Sequence, residues 1–162
     1  IYEGVSDNAS DDEWHAAWHR TMTINLQAAA DLSRLAVSHV LDRGGEGRIV
    51  NVASRAAFRG DSPQHWHYAA SKGAIVSMTK TIARGYGGES ILCFAVAPGF
   101  TVSEMTAEYL QGRGGAQIIA DIPLGRVAST DEVAEVIRWL SIDAPASATG
   151  SIIDVNGASY VR

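Results

Sequence analysis

Two short apolar runs constrain the fold most: Arg48-Ile49-Val50-Asn51-Val52-Ala53-Ser54 and Ile91-Leu92-Cys93-Phe94-Ala95-Val96-Ala97. Both are rich in β-branched or apolar residues at consecutive positions, the mark of strands buried on both faces in a parallel sheet. The second is stopped by Pro98-Gly99. Between them lies a long helical segment, 66–85, closed by Gly85, Gly87 and Gly88. Strand, helix and strand in that order predict an α/β fold with right-handed crossovers.

The remaining elements fit the same alternation. Residues 1–9 read as loop. Ser10 followed by Asp11, Asp12 and Glu13 predicts a helix start with a capping box. Helical periodicity then runs to about Leu41, with a kink or break expected near Thr23 to Asn25, and Gly44, Gly45 and Gly47 end it. Residues 55–65 read as loop. Residues 100–123 read as a partly irregular insertion: a short helix around Ser103 to Leu110, a glycine-rich break, then an apolar piece to Ile122. An insertion of this length after a strand suits a substrate loop or lid. A helix is expected from Thr130 to about Leu140, and a last strand from Ser151 to Val155.

The chemistry centres on Tyr68-Ala69-Ala70-Ser71-Lys72. Positions i and i+4 share a helix face, so phenol and ammonium point into one space. A phenol of pKa near ~10 is a poor acid or base at neutral pH, and a lysine cation one turn away is expected to lower it. Ligands in open parallel sheets bind beyond the carboxyl ends of the strands. Ser54 and Pro98-Gly99 both stand at such ends, and Tyr68 opens the helix that follows Ser54.

Ser54, then Tyr68 and Lys72 fourteen and eighteen residues later, then Pro98-Gly99, form an ordered set. With Ile49-Val50-Asn51-Val52-Ala53-Ser54, Tyr68 to Ala74 and Val96-Ala97-Pro98-Gly99, the chain resembles the short-chain dehydrogenase/reductase family. Gly125 to Ser129 before an acidic helix start, and Thr149-Gly150 before the last strand, are similar to that family's C-terminal pattern. The chain resembles the 3-oxoacyl-carrier-protein reductase-like and the sugar-alcohol dehydrogenase-like members alike. The resemblance implies NAD- or NADP-dependent interconversion of a small-molecule alcohol and a carbonyl. Tyr68 would be the acid/base, and Ser54 would steady charge on the substrate oxygen. Lys72 would tune Tyr68 and hold the nicotinamide ribose. Asn25 matches the helix asparagine that holds a relay water. Pro98, Gly99 and Thr101 match the segment that meets the nicotinamide amide, and Ser103 stands where the family often has a threonine near the cofactor phosphates. Helices 10–43 and 66–85 match those that build a subunit interface, so a homo-oligomer is expected.

The family's glycine-rich turn after a first strand, which cradles pyrophosphate on a helix N-terminus, is not found. Neither is its Asn-Ala-Gly turn, and Ile1-Tyr2 looks like what would follow that turn. The fold expected is therefore the C-terminal portion of a Rossmann-like doubly wound parallel sheet, one partial domain over 1–162 with 100–123 as substrate loop. The Arg48 to Ser54 strand is then expected at an open edge. The alternative is a truncated, non-catalytic remnant or interaction partner that binds no dinucleotide alone.

Other features carry less. A net charge of -5 with scattered Lys and Arg argues against a nucleic-acid partner. The single cysteine, Cys93, allows no disulfide framework and suits a reducing, cytoplasmic setting. It reads as a small core residue. No apolar run reaches membrane-span length and the N-terminus is not a signal peptide. His15 and His19 have a metal-compatible spacing without a third ligand, so no metal is expected. His65 and His67 suit either a substrate mouth or a polar helix start.

Overall fold

The computed structural model describes residues 1–102 and 115–162. Ser10 caps helix α1 (Asp11–Met22): its hydroxyl accepts from the Glu13 amide, and the Glu13 carboxylate accepts from the Ser10 amide at 2.9 Å. The expected capping box thus forms. α1 runs into a π turn, Thr23–Gln27, and then into α2, Ala28–Arg43. The irregularity expected near 23–25 is this turn, where the Ala28 amide bonds the Thr23 carbonyl instead of the residue one nearer.

Strand β1 (Gly47–Val52) follows, then a one-turn helix α3 (Ala56–Arg59), the long α4 (Trp66–Tyr86) and strand β2 (Ile91–Pro98). Helices α5 (Gly115–Ala120) and α6 (Thr130–Ile142) and strand β3 (Ile152–Val155) complete the described chain. The short helix expected around Ser103 to Leu110 lies outside the described residues. The three strands are parallel in the order β1-β2-β3, with Val52 opposite Val96 and Pro98 opposite Val155.

β2 explains the architecture. All seven residues from Ile91 to Ala97 are buried. Alternate side chains point to opposite faces of a strand. Leu92, Phe94 and Val96 pack with Leu140 of α6 and with Ala144. Ala95 packs with Ala53 and with Ile75 and Val76 of α4, while Ile91 packs with Val37 and Val40 of α2. Helices therefore cover both faces of the sheet, as in a doubly wound fold. The buried Asn51 amide is matched: it donates to Thr79 Oγ1 at 3.0 Å, tying β1 to α4. Arg48 Nη1 donates to the Ala144 and Leu140 carbonyls at 2.8 and 3.3 Å, placing a cation at the C-terminal end of α6. Among the described residues β1 is an edge strand, as expected.

The chain departs from its expected course at two places. β1 ends at Val52, before Ser54. The segment expected as loop after it holds α3, because Ser54 Oγ accepts from the Ala56 amide at 3.1 Å and starts a turn there. No described helix is long and apolar enough to cross a membrane.

A second capping box opens α6, with Ser129 and Glu132 as partners. Arg126 grips the Glu132 carboxylate with two bonds of 2.8 Å, and that pairing, with the Ser129 amide, holds the carboxyl down to about 2. A depressed carboxylate lends its support above the ordinary carboxylate range and loses it as pH falls toward 2. Ser129→Ala is expected to cost about 1 kcal/mol in urea unfolding.

Candidate functional site

β1 and β2 end side by side, and the chain beyond each end turns into one cleft of about 550 Å³. Ser54 and Tyr68 line it from one side, and Gly99, Phe100 and Thr101 from the other. Tyr2, Arg55, Arg59 and Asp61 complete much of its wall.

Ser54 is buried, fixed by the turn its own hydroxyl starts. Two backbone bonds carry the sheet ladder past the end of β1 and hold it there: the Ala53 amide to the Val96 carbonyl at 2.8 Å, and the Arg55 amide to the Pro98 carbonyl at 2.9 Å. Tyr68 stands in the first turn of α4 and lines the cleft together with Ser54, whose hydroxyl is near enough to act on the phenol. Ser54 and Tyr68, expected at one edge of the sheet from the strand ends, both line this cleft.

Its electrostatic half needs correcting. Burial pushes the Tyr68 phenol above its ordinary pKa, and the nearby Ser54 hydroxyl only partly offsets this. The Lys72 ammonium lies 5.8 Å from the Tyr68 ring centroid and donates to the Val52 carbonyl at 3.0 Å. Desolvation therefore outweighs the cation one turn away. Burial also lowers the Lys72 pKa.

Asn25 is buried in the π turn and reaches the site indirectly. Its Oδ1 accepts from the Ile1 nitrogen at 2.6 Å, and its Nδ2 donates to the Ile1 carbonyl at 2.9 Å and to Ser71 Oγ at 3.3 Å. Ser71, fully buried, donates in turn to the Tyr68 carbonyl at 2.7 Å. Asn25 is thus joined through Ser71 to the backbone that carries Tyr68. Ser71 was not singled out from the sequence, although a serine three residues after Tyr68 on a helix is placed for such back-bonding.

Tyr2 forms a second wall around Tyr68. Its ring meets the Tyr68 ring edge-on at 4.7 Å and stacks on His65 at 3.9 Å, while its hydroxyl donates to Asp61 Oδ1 at 3.1 Å. His65 pairs with the Ser62 hydroxyl at 2.7 Å. His67 is 1% exposed and packs against Trp18. Neither histidine lines the cleft.

The opposite wall is held tightly. The Gly99 amide donates to the Val155 carbonyl at 3.0 Å, and Thr101 Oγ1 donates to the Gly99 carbonyl at 3.3 Å. Thr101 also bridges to Ala128. Ser103 lies outside the described residues.

Comparison with known proteins gives a consistent picture. The family model described as enoyl-(acyl carrier protein) reductase matches residues 5–158. A 3-oxoacyl-[acyl-carrier-protein] reductase of Thermotoga maritima is 36% identical over 144 residues, 89% of this chain and 57% of that protein. The chain therefore spans well under two thirds of that relative's length. Among solved structures, one from Agrobacterium tumefaciens with bound NADP, assigned as a 2-deoxy-d-gluconate 3-dehydrogenase, superposes with a TM-score of 0.87 at 27% identity. The match covers 100% of this chain and 65% of that one. A 4-hydroxyisoleucine dehydrogenase mutant complexed with NADH and succinate gives a TM-score of 0.88 at 27% identity, covering 98% of this chain and 64% of that one.

Proposed function

The chain belongs to the short-chain dehydrogenase/reductase family, and on that premise we propose that it interconverts a small-molecule alcohol and a carbonyl with NAD or NADP. The observation that carries this reading is that Tyr68 and Ser54 line one cleft at the strand ends. Two hydroxyls facing one space can both bond a single substrate oxygen. In carbonyl reduction Tyr68 donates its proton to that oxygen, and Ser54 steadies the charge that develops on it. A phenol held above its ordinary pKa carries its proton at neutral pH, which suits it as an acid. In the oxidative direction the same group must first lose that proton.

The residues present fit the nicotinamide end of a dinucleotide. Gly99 leaves its side-chain space to Asn156, so the backbone of the wall comes close to the end of β3. Lys72, with one proton on the Val52 carbonyl, has donors left for ribose hydroxyls. When bound, the dinucleotide supplies or accepts hydride. Asn25 acts through Ser71 to fix the turn that carries Tyr68, and the relay-water role is assigned to it on the same reading. On the same reading Thr101 belongs to the segment that meets the nicotinamide amide, Ser103 is assigned to the cofactor phosphates, and 100–123 is assigned as the substrate loop of a single catalytic unit.

Calorimetric titration with NAD and NADP, followed by NAD(P)H-linked turnover on a ketone panel, tests the proposal. Lys72→Met is expected to weaken nucleotide binding about tenfold, the worth of one charge-assisted hydrogen bond. Unchanged affinity would remove Lys72 from the cofactor site. The open β1 edge favours a second reading, a unit that binds dinucleotide only with further strands supplied beside it. Tight binding by the 162-residue chain alone excludes that reading.

A further inference from the structure

The turn that follows Ser54 is cationic. Arg55 and Arg59 stand at its two ends, four residues apart, and both line the cleft that holds Ser54 and Tyr68. Among the described residues they share one carboxylate oxygen. Asp121 Oδ2 lies 2.7 Å from Arg59 Nη1 but 3.7 Å from Arg55 Nη1, beyond hydrogen-bond range. The Arg55 side chain is only 12% exposed, and its Nη1 is buried with no hydrogen-bond partner among the described residues. A buried donor on a permanent cation is costly unless a partner arrives.

The guanidinium is held in place from one side. Its Cζ sits 4.9 Å from the centroid of Phe100, the residue after Gly99 on the cofactor-facing wall. Asp61 also lines the cleft, but its Oδ1 takes the Tyr2 hydroxyl at 3.1 Å and the Ser62 amide at 2.7 Å. It leaves Arg55 Nη1 unmatched. Asp61 and Asp121 both act on Arg55 by charge, so the cleft lacks not negative charge but an acceptor for Arg55 Nη1, which a carboxylate oxygen of a substrate can supply. Arginine's planar fork matches a carboxylate.

We propose that Arg55, supported by Arg59, selects substrates that carry a carboxylate, so that the chain acts on an oxo acid and its hydroxy acid. The carboxylate meets the Arg55 fork while the reacting oxygen meets Tyr68 and Ser54. The inference rests on the oxidoreductase reading for the reaction, but its binding half stands separately.

The test uses matched probes: acetoacetate and levulinate, each against its neutral amide, with dihydroxyacetone phosphate as a phosphate-bearing ketone. Binding to the full chain is followed by ligand-observed NMR, and NAD(P)H-linked turnover is measured in parallel. At least one acid is expected to bind about tenfold or more tighter than its amide. Arg55→Met is expected to collapse that preference, and Arg55→Lys, which keeps the charge but loses the fork, to keep part of it. Arg59→Met, at a more exposed position, is expected to reduce the preference without endangering the fold. Equal binding of acids and amides overturns the proposal, as does a preference that survives both Arg55→Met and Arg59→Met. Tighter binding of the phosphate ketone than of either acid overturns the carboxylate assignment in favour of a phosphate. An acid preference without turnover of any probe overturns the oxidoreductase reading alone, whereas turnover without that preference overturns the carboxylate clamp alone.

Discussion

Tyr68→Phe is expected to lower NAD(P)H-linked turnover by about 10² to 10⁴-fold, the usual worth of a general acid or base. The change deletes one oxygen, which faces the cleft beside Ser54. The ring keeps its edge-on contact with Tyr2 at 4.7 Å, so the melting temperature should barely move. Loss of activity with an unchanged melt therefore isolates the proton step. A pH profile adds a second signature. Burial raises the Tyr68 pKa, so the proton is retained well into the alkaline range. Oxidation, which needs the phenolate, is expected to accelerate as pH rises, and reduction to slow. Tyr68→Phe should flatten both limbs. The same sign applies to stability: a buried phenol with a raised pKa supports the fold below its unfolded pKa and ceases to do so as pH climbs through the folded value. Undiminished turnover in the variant would remove Tyr68 from the acid/base role.

What could be read from the sequence follows from what local pattern encodes. β2 was legible because burial on both faces forces seven consecutive small or apolar residues, and few other elements do this. The capping boxes at Ser10 and Ser129 are local geometry, and Ser10 with Glu13 was readable as such. The convergence of Ser54, Tyr68 and Gly99 was legible because strand ends and a helix start fix where side chains sit. The electrostatics were not. An i,i+4 spacing brings a lysine near a tyrosine, but which proton that lysine offers depends on the Val52 carbonyl, twenty residues earlier. Desolvation of the phenol depends on Tyr2, whose ring arrives from the far end of the sequence. The roles of Arg55 and Arg59 were hidden for a similar reason. In the sequence they are two scattered cations in a loop. Only the turn started by Ser54 Oγ brings both to the cleft, and only Asp121 shows that they share one carboxylate.

Gly99→Val is expected to have the largest effect on the fold of any change at the cleft, about 1–3 kcal/mol, with weaker nucleotide binding besides. The reason is space. A Cβ at Gly99 would stand 2.8 Å from Asn156 Cβ and 3.0 Å from its Cα, closer than real side chains approach. Neither side can retreat cheaply. Asn156 is buried and its amide donates to the Tyr160 carbonyl at 3.1 Å. Its neighbour Gly157 is itself backed against Ile122, where an added Cβ would come within 2.6 Å of a methyl carbon. On the other side, Gly99 is bonded to Val155, and the preceding carbonyl accepts from Arg55. A displaced strand end would thus pull on the turn that holds Ser54 and shift Phe100 away from the Arg55 guanidinium it faces. Urea unfolding and nucleotide titration of the same sample read the two consequences together. Gly73→Ala is the contrasting case. Gly73 lies within α4, and its nearest neighbour for a new Cβ is the Ala57 carbonyl at 3.8 Å, an ordinary contact. There the lost backbone freedom of glycine dominates, and a stabilisation of about 0.5–1 kcal/mol is expected. If Gly99→Val proved as benign as Gly73→Ala, the wall between β2 and β3 would be looser than its contacts indicate, and the nicotinamide role proposed for it would fall with it.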